Sequence, residues 1–580
     1  MGTAVLPLTG KRCTGSPLLA LFPAAALLLF LAPVLVGLAS TALAAFGYLP
    51  ALGGTTLGLD PWRRLFAFPG LGASLGLTLR TGFLAAAVSL TAVLGLCATL
   101  HGSRFFRWLR RLLAPLLALP HAAAAIGLAF LIAPSGWVSR LLSPALTGWQ
   151  RPPDIAIVHN PFGLCLVLGL TLKEIPYLLF MTVAALEQIR VREQLAVCRT
   201  LGHERAAAWL HVLIPQLYRQ IRLPVYAVLA FSLSVVDVAV ILAPTEPPPF
   251  SVFLFRLFTD RDLGLFFPAA AGALLQLALT AAAIGAWRLG EIAAGRLGRR
   301  LICRGGARVP QGSAVSWFFG AVAGLPVLLS LGGALSLALG TLARSWFFPQ
   351  ALPSAWTLAH WLRHAPELVR PAGVTFCAAL AAAAVGLFLV IGCLQNERVN
   401  GRNPAARTLW LLYAPLLVPQ IAFLSGLQVL LVRLGLDGTW TALVASHLLF
   451  VFPYLFLSLA DPWRAFDRRY RTVALSLSGS RTRSFLKVEL PILRRAVLFA
   501  FAVGFAVSAN QYLPTLFAGA GRLTTLTVEA VTLASGNDPR VTGIYALAQA
   551  ALPLAVFAAA LALGTRRRFG RRPGFPEPAH

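Results

Sequence analysis

Long apolar runs, each closed by a short polar or basic segment, recur along the whole chain. They fall at 18–44, 80–102, 112–133, 162–186, 223–243 and 265–289, and again at 315–341, 371–394, 407–433, 440–460, 496–519 and 541–564. A bilayer core about 30 Å thick takes roughly 20 apolar residues per helical crossing, so each run predicts a membrane-spanning helix and the pattern predicts about twelve. The expected fold is an all-α polytopic membrane protein. The first run, from Pro17 to about Phe46, follows Lys11 and Arg12 and ends near an Ala42-Leu43-Ala44 that resembles a cleavage site. It is about twice the length of a signal-peptide core and is read as an uncleaved first span.

The two halves repeat one another. "APLLALPH" at 114–121 matches "APLLVPQ" at 414–420, "PYLLF" at 176–180 matches "PYLFL" at 453–457, and "WLHVLIP" at 209–215 matches "FLKVELP" at 485–491. Each half carries an even number of spans, so the repeats share one orientation and are expected to pack as two parallel six-helix units about an axis along the membrane normal. The boundaries expected are 1–289 for the first unit and 315–580 for the second. Between them, 290–314 is rich in Gly and Arg and reads as a linker.

Composition then removes other classes. Of 580 residues 58% are apolar and 12% charged, well below the charge content of soluble domains. The formal charge of +29 would point to nucleic acid in a soluble chain. Here the basic residues lie almost entirely between the apolar runs, which excludes nucleic acid and leaves the lipid bilayer as the partner they orient against. With both termini cytoplasmic, 35 of the 49 Lys and Arg fall inside, 13 fall outside and Lys173 lies in a span. The positive-inside rule selects that orientation. The seven cysteines form no CxxC pair and read as small apolar fillers, with no metal site.

Two long loops, 187–222 and 461–495, fall on the cytoplasmic side before the fifth span of each half. "EQLAVCRTLGHERAAAWLHVLIP" at 193–215 and "YRTVALSLSGSRTRSFLKVELP" at 470–491 each read as helix, Gly break and second helix ended by Pro. In the first loop Ala206, Trp209, Leu210 and Leu213 form an apolar stripe. Such a stripe outside the bilayer packs either on a partner or on the protein's own helix ends, and its repetition in both halves favours the partner.

This arrangement resembles the EAA loop of binding-protein-dependent ABC import permeases, in which a Glu-Ala-Ala triplet precedes Gly, and Leu-Pro follows that Gly by thirteen residues. Gly202 to Pro215 has that spacing. Gly479 to Pro491 is one shorter, so Ser478 falls at the Gly position and the turn is expected to shift by one residue. Neither triplet carries the Glu: Ala196, Val197 and Cys198 stand in the first, Thr472, Val473 and Ala474 in the second. The resemblance covers nearly the whole chain as two fused permease domains and is closest to the thiamine-type, ferric-iron and spermidine/putrescine branches. It implies the transmembrane subunit of an importer in a bacterial inner membrane. A periplasmic substrate-binding protein and a cytoplasmic ABC ATPase dimer would be its partners, the ATPase being seated on Gly202, Trp209, Leu210, Pro215, Ser478, Gly479, Phe485, Leu486 and Pro491.

No GxxxxGK followed by Ser or Thr occurs, and the lysines are Lys11, Lys173 and Lys487. ATP and Mg are therefore expected on the partner ATPase, with no cofactor and no catalytic residue on this chain. Ionisable or strongly polar residues inside spans are costly and face a polar path or a helix partner. His121, Asp237, Gln420, Asn510 and Gln511 are the candidates for the translocation path. Lys173 and Glu174 are neighbours and point about 100° apart on a helix, so they are not expected to pair. The rival reading is an ion-coupled secondary transporter with two six-span repeats. Asp237 and Glu174 are few acids for that, and the amphipathic loops have no role in it.

Overall fold

The computed structural model describes residues 17–303, 312–400, 412, 414–536 and 538–565. They are almost entirely helical, as a chain that must satisfy its backbone polar groups inside lipid requires. Among the described residues ten helices are long and apolar enough to cross a membrane, from Leu19–Ala45 to Pro539–Thr565. Two of the twelve expected spans are not among these ten. Helix Ile214–Ser234 carries Arg219 and Arg222 in its first half and stops before an extended Val235, so the run at 223–243 is split, with a short helix Asp237–Leu242 beyond the break. The run at 407–433 is described chiefly as Gln420–Arg433, only 14 residues, starting directly after Pro419. The run at 112–133 is also divided, at Pro120, into Arg104–Ala118 and His121–Ile132.

The segment expected to be a linker is helical over most of its length. Helix Phe266–Cys303 continues without interruption through 290–303, where Ala, Leu, Arg and Glu outweigh the glycines, and the next helix starts at Ser313. Residues 304–311 lie outside the described part, as do Lys11 and Arg12 and the basic tail at 566–572.

The halves exchange their first helices. Helix Pro17–Ala45 crosses Gln420–Arg433 of the other half so closely that a Cβ on Gly37 would overlap the Phe423 carbonyl oxygen, and one on Gly426 the Gly37 oxygen. Thr41 and Ser425 share a hydrogen bond of 3.3 Å beside that crossing. Reciprocally, helix Ser313–Leu342 crosses His121–Ile132 at Gly127 and Gly333, where a Cβ on Gly333 would stand 2.8 Å from the Gly127 carbonyl carbon. Small residues allow this approach in a membrane, where dispersion replaces the hydrophobic effect as the driving force.

Matching hydrogen bonds hold the last elements of each half. Thr78 Oγ1 accepts from the Phe250 N–H at 2.7 Å, and Thr375 Oγ1 from the Leu526 N–H at 2.9 Å, each at the start of a nine-residue helix. Ser251 donates to the Val235 carbonyl at 2.7 Å, as Thr527 does to that of Ala509 at 2.6 Å. These carbonyls close the helices that follow the two loops, so each loop is tied by rigid structure to a helix break.

Candidate functional site

The loops begin with helices Val191–Thr200 and Arg468–Ser478. Gly202, with φ of 79°, and Gly479, with φ of 62°, then take the left-handed conformation that glycine adopts without a Cβ penalty. Ser478 does not make the turn. It is the last helical residue, and its hydroxyl donates to the Ser480 carbonyl at 3.1 Å. The chain restarts at Arg205–Ala208 and at Arg481–Ser484.

Pro215 and Pro491 do not end these second helices. Each stands in the first turn of the long helix that follows, and a five-residue π turn, Trp209–Leu213 or Phe485–Glu489, joins the two. Proline supplies no N–H for the carbonyl four residues earlier and crowds it, and widening the turn relieves both problems without breaking the helix. The loop is thereby continuous with helix Ile214–Ser234 in one half and with Leu490–Ala509 in the other.

The structure corrects the orientation of the apolar stripe. Trp209 and Leu213 are fully buried in the protein's own core with Leu186, Val191 and Leu217, and Trp209 lies 5.5 Å from the His101 ring. Phe485 is half-buried against Trp463 at 6.2 Å. Consecutive helical residues point about 100° apart, so once Trp209 and Phe485 face inward, Leu210 and Leu486 turn outward. The outward apolar surface shared by the two loops is Val197 (58% exposed), Leu201 (70%) and Leu210 (46%) in the first and Val473 (58%), Leu477 (84%) and Leu486 (54%) in the second, where Tyr470 and Ile492 are exposed as well. Every pair is separated by 276 positions, as are Trp209 and Phe485.

Different chemistry fixes the two loops to the bundle. In the first, Arg205 donates to the His101 carbonyl at 2.7 Å beside the buried Trp209. Burial, with Arg205, Arg110 and Arg192 around it, holds the His101 imidazole below the usual histidine range. In the second, Glu489 is 1% exposed and pairs with Arg398 at 2.6 Å and Arg471 at 3.5 Å. Arg398 also donates to the Trp463 carbonyl at 2.5 Å and lies over the Trp463 and Phe466 rings. The buried carboxylate of this loop thus comes from its far end, its triplet at 472–474 carrying no acid. The sequence signal was the one acid in "FLKVELP", where the first loop has Leu213.

The path candidates all lie at helix breaks. His121 and Gln420 are the first residues after Pro120 and Pro419, Asp237 opens its short helix, Asn510 closes Leu490–Ala509, and Gln511 follows, buried. His121 packs on Phe231, with ring centroids 5.1 Å apart. Asp237 is half-buried and lies within electrostatic reach of Tyr512 in the other half. The Asn510 Oδ1 is buried without a hydrogen-bond partner among the described residues. These five residues are thus placed alike, each beside a break in its helix.

Lys173 and Glu174 do not pair. Lys173 donates to the carbonyls of Leu116 (2.6 Å), Leu117 (3.4 Å) and Leu119 (2.5 Å), supplying partners where helix Arg104–Ala118 ends. Glu174 accepts from Ser89 at 3.1 Å and from Ser232. One site escaped the sequence reading: His447 bonds Ser508 at 2.7 Å and Thr515 at 2.9 Å. Ser508 is the repeat of Ser232, 276 positions on, so the symmetry was readable although the exchange of acid for imidazole was not.

No family model matches the chain. A curated relative does: over 507 residues, 87% of this chain and 90% of the other, it is 34% identical to the inner membrane ABC transporter permease protein YnjC of Escherichia coli K12. The chain belongs to the ABC transporter permeases. Parts of this permease also match shorter relatives. The putrescine transport system permease protein PotI of Escherichia coli K12 is 23% identical over 195 residues, 32% of this chain and 68% of that protein. The spermidine/putrescine transport system permease protein PotC of Haemophilus influenzae is 26% identical over 145 residues, 25% of this chain and 54% of that protein. The transport class read from the loops is therefore the family's own.

Proposed function

We propose that this permease is the complete transmembrane pathway of an importer in a bacterial inner membrane, with 1–289 and 315–580 as two pseudo-equivalent domains and 290–314 joining them. Both termini and both glycine loops are cytoplasmic, which places 35 basic residues inside and 13 outside. A cytoplasmic ATPase dimer, which binds ATP and Mg, sits on the loops, and a periplasmic binding protein delivers the solute to the opposite face. The observation that carries this reading is the pair of matched ridges, Val197, Leu201 and Leu210 against Val473, Leu477 and Leu486, exposed at identical spacing. Large apolar side chains held outward twice at the same repeat positions, while Trp209 is buried and Phe485 half-buried, fit two copies of one partner surface.

Closure of the ATPase would displace the loops, and the π turns pass that displacement into helices Ile214–Ser234 and Leu490–Ala509 as rigid bodies. At about 1.5 Å per residue these reach roughly 30 Å, to the breaks that hold Asp237 and Asn510. The cargo we infer is a small cation, as the polyamine, thiamine-type and ferric-iron branches all carry; Asp237 is the acid placed at a break facing the other half.

The test is co-purification of the partner ATPase with Leu210→Ala/Leu486→Ala. Each truncation at such an anchor costs about 2 kcal/mol, so the double change should release the ATPase while the bundle stays folded. Full retention with normal uptake refutes the docking role. Asp237→Asn should lower uptake with ATPase assembly intact, and normal uptake returns that residue to a packing role.

A further inference from the structure

The two ridges are alike in shape and unlike in charge. In the second loop Arg481, Arg483 and Lys487 are exposed, and they form no ion pair among the described residues. The acids nearby are committed: Glu489 is buried between Arg398 and Arg471, and Asp467 accepts from the Arg469 N–H at its helix start. From Tyr470 to Val488 there is no acid besides these cations. The equivalent positions of the first loop, 276 earlier, are Arg205, Ala207 and His211. Arg205 is turned inward onto the His101 carbonyl, Ala207 is neutral, and an exposed Glu204 stands beside Arg205. The first ridge is therefore flanked by one exposed cation outside any ion pair among the described residues, Arg199, with the exposed Glu204 nearby, and the second by three such cations.

We propose that the second loop docks into a groove of the ATPase whose rim carries carboxylates, whereas the first loop, with fewer exposed cations, docks chiefly through apolar contact, so that the two attachments differ in salt sensitivity. This inference rests on the ATPase-docking reading above. An acidic protein rim is favoured over a lipid surface because Arg483 lies three residues before Leu486, on the same helical face as the apolar side chain that recurs in the first half as Leu210. A cation beside a repeated docking residue meets whatever that residue meets. Rim charges act mainly on association rate and salt dependence, and they keep wrong surfaces away. The second loop would then capture the ATPase first, and the first loop would lock it.

The experiment compares the full-length permease with Arg481→Gln/Arg483→Gln/Lys487→Gln, measuring ATPase affinity in detergent and in nanodiscs of zwitterionic or anionic lipid. Salt is raised from about 0.1 M to about 1 M, over which the screening length falls from about 10 Å to about 3 Å. The expected result is a loss of roughly tenfold in affinity at low salt, no loss at high salt, and a flattened salt profile, in detergent as in both nanodiscs. Placing the charges on the first loop instead, with Ala207→Arg/His211→Lys, should steepen the profile. An unchanged profile in the triple variant overturns the proposal. So does an effect confined to anionic nanodiscs, which would assign the cations to the bilayer. Leu210→Ala/Leu486→Ala separates this failure from that of the underlying reading: it releases the ATPase at every salt concentration if the loops dock it, whatever the charges do.

Discussion

Replacing Glu489 by Gln should loosen the second loop and leave the first as it is. The Glu489 carboxylate is 1% exposed and sits 2.6 Å from Arg398, whose own side chain is 10% exposed, and 3.5 Å from Arg471. Removing one partner of a buried pair commonly costs 3–5 kcal/mol because the other charge stays buried. Arg398 keeps the Trp463 carbonyl and the rings of Trp463 and Phe466, and glutamine can still accept one hydrogen bond, so about 3 kcal/mol is the figure expected. At 1.4 kcal/mol per tenfold that raises local opening by about a hundredfold. Hydrogen–deuterium exchange in lipid nanodiscs reads it directly: amides of Arg468–Ser478 and Phe485–Glu489 should exchange about a hundredfold faster, with those of Val191–Thr200 unchanged. The first loop solves the same packing with Leu213 and His101. Glu489→Leu/Arg398→His should therefore recover part of the protection by removing both charges together. Unchanged exchange in Glu489→Gln would refute the claim that this ion pair anchors the loop.

Two further outcomes follow from the packing. Gly37→Val or Gly426→Val forces a side chain into backbone that cannot yield and should cost at least 1–3 kcal/mol, lowering the thermal midpoint in detergent, whereas Gly72→Ala, in open space, should not. Because His101 is held below the ordinary histidine range, its unfolded form takes a proton first as the pH falls. The first loop should keep its full stability above about pH 6.5 and lose it progressively on acidification, and His101→Phe should remove that part of the pH dependence of exchange in Arg205–Ala208.

Membrane insertion, the helical class and the transport family were all legible in the chain, because a bilayer admits few solutions. An apolar run of twenty residues can hardly be anything but a helix, and repeated spacing over spans and loops survives sequence drift. The loops were legible for the same reason: Gly and Pro fix backbone conformation locally, and both left-handed glycines stand where the sequence placed a break. What periodicity could not decide was which side of an amphipathic helix meets its own bundle. Trp209 and Leu210 are adjacent and both apolar, and only the position of His101 and the helix ends beneath them sends the tryptophan in and the leucine out. The exchange of first helices at Gly37 and Gly426 was equally hidden, since a glycine's need for close approach exists only once its neighbour is known. Glu489 and Arg398 lie 91 positions apart, and no local rule joins them. Sequence sets what each segment can be in lipid; long-range packing alone chooses the partner, and with it the faces left free to bind.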